Sequence, residues 1–294
     1  MNMISKISII GGDLRIVKLA EMLSNEGAKV YTYGLESSEL LDDENIEKCK
    51  ALEDAMSSSD IILGPIPFTS NGESINSPFS KNKISINEVL DLSVGKTLIA
   101  GGIKQNIYEM ASQKNVKVID ILKREELAVL NAVSTAEGTI KIAIEETLRN
   151  LHGSNILILG FGRVGKILAN MLKGLGSNVA CEARKNSDIA WIKAYGYEAI
   201  PLSELTENLD RFDIIINTIP YIILGKENLD KIKEEALIID LASSPGGVDR
   251  EAVKEKNIKF IWALSLPGKV APITSAEFIE ETLYNIIKEI REGK

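Results

Sequence analysis

The sequence is poor in cysteine and histidine, and this excludes several kinds of site. Its 294 residues include two cysteines, Cys49 and Cys181, which lie far apart and in no metal-ligand spacing. We therefore expect neither a disulfide framework nor a metal site. The low cysteine content is consistent with a reducing compartment. The single histidine, His152, precedes the first strand of the second half and is expected at the amino edge of its sheet. The histidine–carboxylate pair of the usual 2-hydroxy-acid dehydrogenases thus has no histidine to use.

Net positive charge and long apolar runs are also missing. The chain carries 34 Lys and Arg against 42 Asp and Glu, a formal net charge of −8, which argues against a nucleic-acid surface. No apolar run reaches the length of a membrane span, and the apolar stretch at the N-terminus is short and ends in glycines, unlike a signal peptide. We therefore expect a cytoplasmic protein without membrane contact. With 45% hydrophobic residues, the chain is long and apolar enough for two folded domains.

Two segments share one layout, residues 7–34 and 156–184: an apolar strand, a glycine turn, an amphipathic helix and a second strand. Each predicts a βαβ unit at the start of one half of the chain. Further apolar runs predict buried parallel strands at 60–65, 96–102, 117–121, 213–220, 236–243 and 259–264. The predicted fold class is α/β, with two Rossmann-like domains whose sheets are parallel, joined by a long interdomain helix.

The interdomain helix is predicted from a capping pattern. Ser134 followed by Glu137 is typical of a helix start, and Gly153 of a helix stop. A C-terminal helix, capped by Thr274 or Ser275, could pack on the first domain, on its own domain or on a partner. The predicted bounds are 1–130 for the N-terminal substrate or partner domain, 131–152 for the interdomain helix, 153–272 for the dinucleotide-binding domain and 273–294 for the C-terminal helix. Residues 69–83 are loop-like and a candidate lid.

The segment GFGRVG is the main indication of a ligand. Gly160, Gly162 and Gly165 form G-x-G-x-x-G directly between a strand and a helix, and this context favours dinucleotide binding over a plain tight turn. The first glycine permits the turn, the second lets the backbone approach a pyrophosphate, and the third lets helix and strand pack closely. Phe161, Arg163 and Val164 complete the loop that we expect to bind the cofactor.

The segment VACEARKNS, at the end of the second strand of this unit, bears on the choice between NAD and NADP. Glu182 and Arg184 lie 17 and 19 residues after Gly165 and share a strand face, so direction does not separate them. Position favours Arg184, whose guanidinium suits a 2′-phosphate, with further donors on Lys185 and Ser187. We therefore expect NADP; a solvated strand end is the alternative.

Three polar loops follow neighbouring apolar strands, where ligands of open α/β sheets bind. Asn217 and Thr218 end the first of these strands and are predicted cofactor contacts. Ser243 and Ser244, in the loop 240–247, are substrate candidates, and 263–272 is the third loop. Each loop alone is consistent with a simple turn, and their conjunction favours a site.

Three further side chains are substrate candidates because they could bind a carboxylate. Arg15 follows the first glycine turn, and a structural salt bridge is the equally weighted alternative. Asp13 is expected to cap that helix. Ser134 and Thr135 would lie at the N-terminus of the interdomain helix, which favours anions.

Seven segments occur in order along the chain: IIGGDLR, REELAVLNAVSTAEGTI, HGSNILILGFGRVG, ARKNS, INTIP, IDLASSPGGVD and LPGKVAP. Together they resemble the A-subunit family of dipicolinate synthase, from spore-forming bacteria, over nearly the whole chain. The glycine loop alone is unspecific, whereas the set is specific. The family's phosphate-binding Arg and Ser fall on Arg184 and Ser187, while Glu182 stands where a small residue is more usual.

The resemblance implies an NADP-dependent oxidation that aromatises dihydrodipicolinate, or its hydrated form, to dipicolinate during sporulation, in the mother cell. The substrate is a cyclic dicarboxylate from the lysine pathway. The resemblance also implies a flavoprotein-like partner, the B-subunit of dipicolinate synthase, and hence an oligomer. No catalytic base stands out, so two alternatives stay open: a non-catalytic NADP-binding subunit that organises the partner, and a dehydrogenase of another amino or hydroxy acid.

Overall fold

A computed structural model of the chain describes residues 4–293, which form two compact units. The first unit comprises the chain up to Asn131 and again from Ala271, and the second is Ala132–Val270. Each unit contains one six-stranded parallel sheet with helices. The predicted fold class, two Rossmann-like domains, is confirmed.

The sheet of the first unit has the strand order β3-β2-β1-β4-β5-β6, the order of a Rossmann fold. Its strands are β1 Lys6–Ile10, β2 Lys29–Tyr33, β3 Ile46–Lys48, β4 Ile61–Leu63, β5 Thr97–Ala100 and β6 Lys117–Asp120. The helices of its N-terminal part are α1 Leu14–Asn25, α2 Leu52–Ser57, α3 Ile86–Leu92 and α4 Gln105–Gln113. Helix α5, Glu125–Glu146, runs from the first unit into the second.

The sheet of the second unit has the order β12-β11-β10-β7-β8-β9, which is the same topology counted from its own first strand. Its strands are β7 Asn155–Leu159, β8 Asn178–Ala183, β9 Glu198–Pro201, β10 Ile214–Asn217, β11 Leu237–Asp240 and β12 Lys259–Trp262. Its helices after α5 are α6 Arg163–Gly174, α7 Asn186–Ala194, α8 Leu205–Asn208, α9 Lys226–Leu229, α10 Arg250–Glu255 and α11 Leu266–Val270. The chain then ends with α12, Pro272–Arg291.

Two edge strands, β3 and β9, are not predicted by the sequence pattern. Their sequences are IEK and EAIP, so each has at most four residues and carries a charge, and the second ends in proline. Short edge strands of this kind give too few alternating positions for a pattern. The six further apolar runs that follow the two βαβ units all form strands, because a strand buried on both faces needs a continuous apolar segment.

Helix α5 begins at Glu125, six residues before the predicted bound at 131 and nine before the predicted cap at Ser134, and ends at Glu146. The expected cap at Ser134 is therefore wrong: Ser134 is an internal helical residue and 1% exposed. The preceding residues EELAVLNAV are good helix formers, so the helix continues through the S-x-x-E pattern, which is not specific to helix starts. The region 147–152, predicted as helix, consists of turns, bends and irregular backbone.

Helix α5 is also the one described helix long and apolar enough to cross a membrane by length and composition. This differs from the expectation that no segment qualifies. Its Ala136 and Ala143 are fully buried among core side chains of the second unit. Core packing accounts for the apolar character, so this single helix is weak evidence for a membrane span.

The C-terminal helix α12 packs against α1 in the core of the first unit. Its buried side chains Ile279, Leu283 and Ile286 belong to the same apolar cluster as Ile16 and Leu23 of α1. The helix starts at Pro272, with Pro in the first turn and no side-chain cap, in place of the predicted cap at Thr274 or Ser275.

The glycine turn after β1 is filled by the loop 69–83. Gly12 N–H donates to the carbonyl of Asn76 at 2.9 Å. A Cβ on Gly11, whose φ is +60°, would lie 3.1 Å from both that carbonyl oxygen and the Cβ of Ser77. The space beside the turn is thus taken by the protein, which agrees with the absence of a full glycine fingerprint there.

Glu280 of α12 gives the first unit a pH-dependent stability. Burial, with Glu26 and Glu277 nearby, raises its pKa from 4.5 to about 7, and its Oε1 is buried without a partner. A carboxyl with a raised folded-state pKa stabilises below the unfolded pKa, and this contribution is lost as pH rises from about 4.5 through about 7.

Glu280→Gln should therefore raise the unfolding temperature at alkaline pH by about 2–4 °C, which corresponds to roughly 1 kcal/mol after allowance for partial exposure. Thermal scans at several pH values measure the effect. At acidic pH the variant and the parent should agree. Glu281→Gln, on the exposed side of the same helix, is the control and should change little. An equal shift at both pH values would contradict the prediction.

Candidate dinucleotide site

The glycine loop lies between β7 and α6, and two of its glycines are required by close packing. A Cβ on Gly160, whose φ is +93°, would lie 2.7 Å from Oγ1 of Thr218. A Cβ on Gly165 would lie 2.2 Å from the carbonyl oxygen of Gly160. The first contact brings the turn after β7 close to the loop after β10, and the second holds the start of α6 against the end of β7, as expected for the third position of this loop.

Gly162 differs because it faces open space. No heavy atom lies within 4 Å of the position that its Cβ would occupy. Gly162 is the N-cap of the 12-residue helix α6, with φ −81° and ψ −160°, and makes no side-chain cap bond. The N–H groups of a helix's first turn point out of its N-terminus, and with the helix dipole they favour an anion at this end. The loop therefore fits a pyrophosphate group that approaches its backbone.

A cavity of about 560 Å³ adjoins this loop within the second unit. Gly160, Phe161, Glu182 and Ala183 line one part of it, and Arg184 and Lys185 line another. Its volume falls within the range of roughly 300–1,000 Å³ that small-molecule sites occupy.

The remaining wall of the cavity is apolar and exposed. Leu202, Tyr221 and Ile222 are 43%, 75% and 41% exposed, and Ile219 lies beside them. The planar ring of Tyr221 and the aliphatic side chains beside it suit the faces of an adenine ring. Sequence reasoning missed these residues; the only available sign was the apolar YIIL that follows the strand end at Pro220.

Arg184, Lys185 and Ser187 are exposed at the junction of β8 and α7. Lys185 is the N-cap of α7, so the helix N-terminus faces the same place as the two cations. Asp188, in the first turn of α7, also lines the cavity. The arrangement provides two cations, a hydroxyl and free N–H groups, the donors that a phosphate ester requires.

Glu182 lies on the cavity wall but is only 1% exposed. Its Oε2 is buried and has no hydrogen-bond partner. Burial raises the pKa of this carboxyl, and the Gly160 amide and the charge of Arg184 oppose that rise. Its unpaired oxygen therefore makes the ionised form more costly than it would be in water, unless a ligand donates to that oxygen.

The side chains of Asn217 and Thr218 form hydrogen bonds to the neighbouring strand ends and loops. Asn217 is fully buried, and its amide nitrogen donates to Asp240 Oδ1 at 2.7 Å and to the Ile219 carbonyl at 2.9 Å. Thr218 Oγ1 donates to the carbonyl of Leu159 at 2.8 Å. Both residues therefore position the wall of the site; direct contact with the cofactor stays a prediction.

The loop after β11 is held by Asp240, which is 1% exposed. Its carboxylate accepts from Asn217, from the Ala242 amide at 3.0 Å and from the Gly247 amide at 2.8 Å. Ser243 and Ser244 lie exposed at the tip of this loop. Since β10, β11 and β12 are neighbours in a parallel sheet, the three predicted loops follow adjacent strands.

Arg15 forms the structural salt bridge that was its alternative role. Its guanidinium donates to Asp13 Oδ2 at 2.7 Å and Oδ1 at 3.0 Å, and also to the Ile66 carbonyl. Asp13 also accepts from the Arg15 amide and caps α1 as expected. Ser134 and Thr135 lie inside α5, so the helix N-terminus that would make them an anion site is elsewhere.

His152 lies in the turn before β7, at the amino edge of the sheet. A Cβ on Gly176 would lie 2.4 Å from its ring, and Gly153 N–H donates to the Gly176 carbonyl. The glycine loop follows the opposite, carboxyl end of β7. The histidine is therefore not part of this dinucleotide site.

Two family models match the chain. Residues 6–122 match the N-terminal domain of the dipicolinate synthase A-subunit. Residues 105–256 match the NAD-binding domain of D-isomer specific 2-hydroxyacid dehydrogenases, which includes the glycine loop and the cavity.

Individual proteins match over nearly the full length. The chain is 34% identical to the dipicolinate synthase A-subunit of Bacillus subtilis (strain 168), over 98% of this chain and 98% of that protein. The crystal structure of the same synthase component from Bacillus subtilis superposes with a TM-score of 0.89 at 31% identity, covering 98% of this chain and 97% of that one. The A-subunit from Bacillus halodurans gives 0.90 at 29% identity, covering 96% and 97%.

Proposed function

The chain belongs to the A-subunit family of dipicolinate synthase, and from this premise we propose that it oxidises dihydrodipicolinate, or its hydrated precursor, to dipicolinate with NADP. The matched nucleotide-binding domain supports an oxidoreductase that uses a nicotinamide dinucleotide. The observation that carries the choice of NADP is the cluster of Arg184, Lys185 and Ser187 at the N-terminus of α7, beside the cavity.

Each part of the dinucleotide has a matching part of the second unit. The Gly162 backbone and the α6 N-terminus would hold the pyrophosphate, and the apolar wall with Tyr221 and Ile222 would hold the adenine. Arg184 and Lys185 would bind the 2′-phosphate. The cofactor, when bound, accepts the hydride that leaves the substrate ring.

The proposed oxidation removes a hydride and a proton from the dihydropyridine ring. Aromatisation supplies much of the driving force, so the proton can leave to water or to a weak base, and no histidine is required. Ser243 and Ser244, exposed at the tip of the loop after β11, are the substrate contacts that the structure supports best. Arg15 would have to exchange Asp13 for a substrate carboxylate.

The partner and the cellular setting follow the family. We propose that the chain acts in the cytoplasm of the mother cell during sporulation, as a hetero-oligomer with the flavoprotein-like B-subunit. The name of its relative designates one component of a synthase, and this supports a second one.

The test of the proposed function is to supply the purified chain with dihydrodipicolinate and NADP, with and without the flavoprotein-like partner. NADPH and dipicolinate, followed by absorbance, should form together in equal amounts and require this chain. Dipicolinate formed by the partner alone would instead support the non-catalytic alternative. Oxidation of hydroxy or amino acids, without dipicolinate formation, would support a different dehydrogenase.

Arg184→Ala should weaken NADP binding by about 10- to 100-fold, because one or two charge-assisted bonds to the 2′-phosphate are lost. NAD affinity should change little. Dissociation constants for both cofactors, measured by calorimetry, check this. The matched control is Arg211→Ala, an exposed arginine of the same unit that pairs with Glu198. Equal losses for NAD and NADP would remove Arg184 from phosphate recognition.

A further inference from the structure

Glu182 is a buried acid in a place where the proposed function does not need one. It is the second-last residue of β8 and pairs in register with Leu159, the residue just before Gly160. The carboxyl is therefore adjacent to the glycine loop and two residues from Arg184, on the wall of the cavity. Its Oε2 has no protein partner, so one oxygen remains for a ligand or a proton.

The charged side chains that line the cavity with Glu182 all belong to the junction of β8 and α7. The β8–α7 junction contributes Arg184, Lys185 and Asp188, and the loop after β10 contributes the Tyr221 phenol. The glycine loop offers the Gly160 amide, and the register partner on β9 is the uncharged Ile200. Burial opposes ionisation of the carboxyl, whereas the Gly160 amide and the charge of Arg184 stabilise the ionised form.

A bound 2′-phosphate would change this balance. It would neutralise Arg184 and Lys185 and add negative charge at the N-terminus of α7, so it would disfavour a second anion at Glu182. A neutral carboxyl can donate its proton to an acceptor oxygen, and an ionised one can only accept. The adenosine ribose of NAD offers hydroxyl donors at the equivalent place, which suit the ionised form.

We propose that Glu182 makes the choice between the two cofactors depend on a proton: its protonated form accepts NADP, and its ionised form favours NAD. This proposal rests on the proposed use of the second unit as a dinucleotide site. NADP binding then takes up a proton wherever Glu182 is ionised in the free protein, and NAD binding does not. Glu182 is a specificity-determining residue on this account, without a role in hydride transfer.

The coupling between proton binding and NADP binding determines how strongly the dissociation constant should depend on pH. Uptake of one proton changes a dissociation constant by at most about tenfold per pH unit above the pKa of the free protein. We therefore expect the ratio of the NAD to the NADP dissociation constant to fall as pH rises, by up to about tenfold for each pH unit above the pKa of Glu182 in the free protein. The raised pKa of Glu182 places this change above the range of an ordinary glutamate.

The experiment measures both dissociation constants across pH by calorimetry, for the unaltered chain and for Glu182→Gln. Gln remains neutral, so its ratio should lose the fall with pH, and NADP should bind more tightly than to the parent at alkaline pH. Ionisation of the 2′-phosphate itself is common to both proteins. Glu198→Gln, an exposed carboxyl on β9 that pairs with Arg211, is the matched control and should keep the parental pH profile.

A second measurement requires no variant. Binding enthalpies of NADP in buffers of different ionisation heats report the number of protons taken up, and this number should exceed that for NAD. Equal proton uptake for the two cofactors, or identical pH profiles of the parent and Glu182→Gln, would overturn the proposal. Failure to form dipicolinate, with the proton linkage present, would refute the proposed reaction alone. Failure to bind either cofactor would refute both.

Discussion

Gly162→Asp should lower the affinity for the dinucleotide by at least about 100-fold and leave the unfolding temperature almost unchanged. The added side chain would enter the open space in front of the α6 N-terminus, which we assign to the pyrophosphate. There it would occupy the ligand's place and repel its charge. The fold should tolerate it, because no heavy atom lies within 4 Å and Asp is a favourable N-cap residue.

Gly225→Asp provides a control that matches in backbone and position. Gly225 is the N-cap of α9 in the same unit, with φ −81° and ψ −179°, and its Cβ would also meet nothing within 4 Å. The two variants thus add the same charge to the same kind of helix end, and of the two glycines only Gly162 directly follows a cavity-lining residue, Phe161. Calorimetric titration with NADP and NAD, together with thermal unfolding, measures both effects. Equal binding by both variants would place the dinucleotide elsewhere.

The sequence was sufficient to predict the glycine loop because the information there is local. A strand, three glycines and a helix start lie within a dozen residues, and the packing of Gly160 and Gly165 follows from that spacing. The apolar wall could not be predicted in the same way. Leu202 and Tyr221 come from loops after different strands, and only the sheet order brings them to one cavity.

The start of α5 shows a different reason for error. The pattern at Ser134 and Glu137 is compatible with a helix start, and it is equally compatible with the interior of a longer helix. Propensity alone would have favoured the longer helix, since no glycine or proline occurs between Glu125 and Ala136. The wrong start also gave Ser134 and Thr135 an anion-binding role that the observed helix does not support.

Glu182 shows what strand alternation can and cannot predict. The flanking residues Cys181 and Ala183 belong to a core cluster that does not include Glu182, as the alternation of a strand requires. Alternation cannot indicate that the carboxyl is buried with one oxygen unpaired, because this depends on the loops around the cavity. A test of which residue selects the cofactor therefore has to include both Arg184, exposed where we propose the 2′-phosphate binds, and the buried Glu182.

Asp240→Ala should destabilise the protein by about 3–5 kcal/mol and strongly reduce kcat/KM. Asp240 accepts three hydrogen bonds, from Asn217 and from the amides of Ala242 and Gly247. Without the carboxylate, these buried donors lose their acceptor, and each unsatisfied group costs about 1–3 kcal/mol. The loop that carries Ser243 and Ser244 would lose its anchor, so amide exchange across 241–248 should accelerate.

Asp240→Asn distinguishes the contribution of the hydrogen-bond acceptors from that of the negative charge. The amide can keep its oxygen toward Asn217 and Ala242, but its NH₂ group then faces the Gly247 N–H, so we expect an intermediate loss of about 2 kcal/mol. Asp249→Ala is the control: it removes the N-cap of α10 in the same unit and should cost about 1 kcal/mol without loss of activity. Denaturant unfolding and steady-state kinetics rank the three variants. If Asp240→Ala resembled Asp249→Ala in both measurements, the carboxylate would not be what holds the loop after β11, and the proposed substrate contacts on that loop would lose their structural basis.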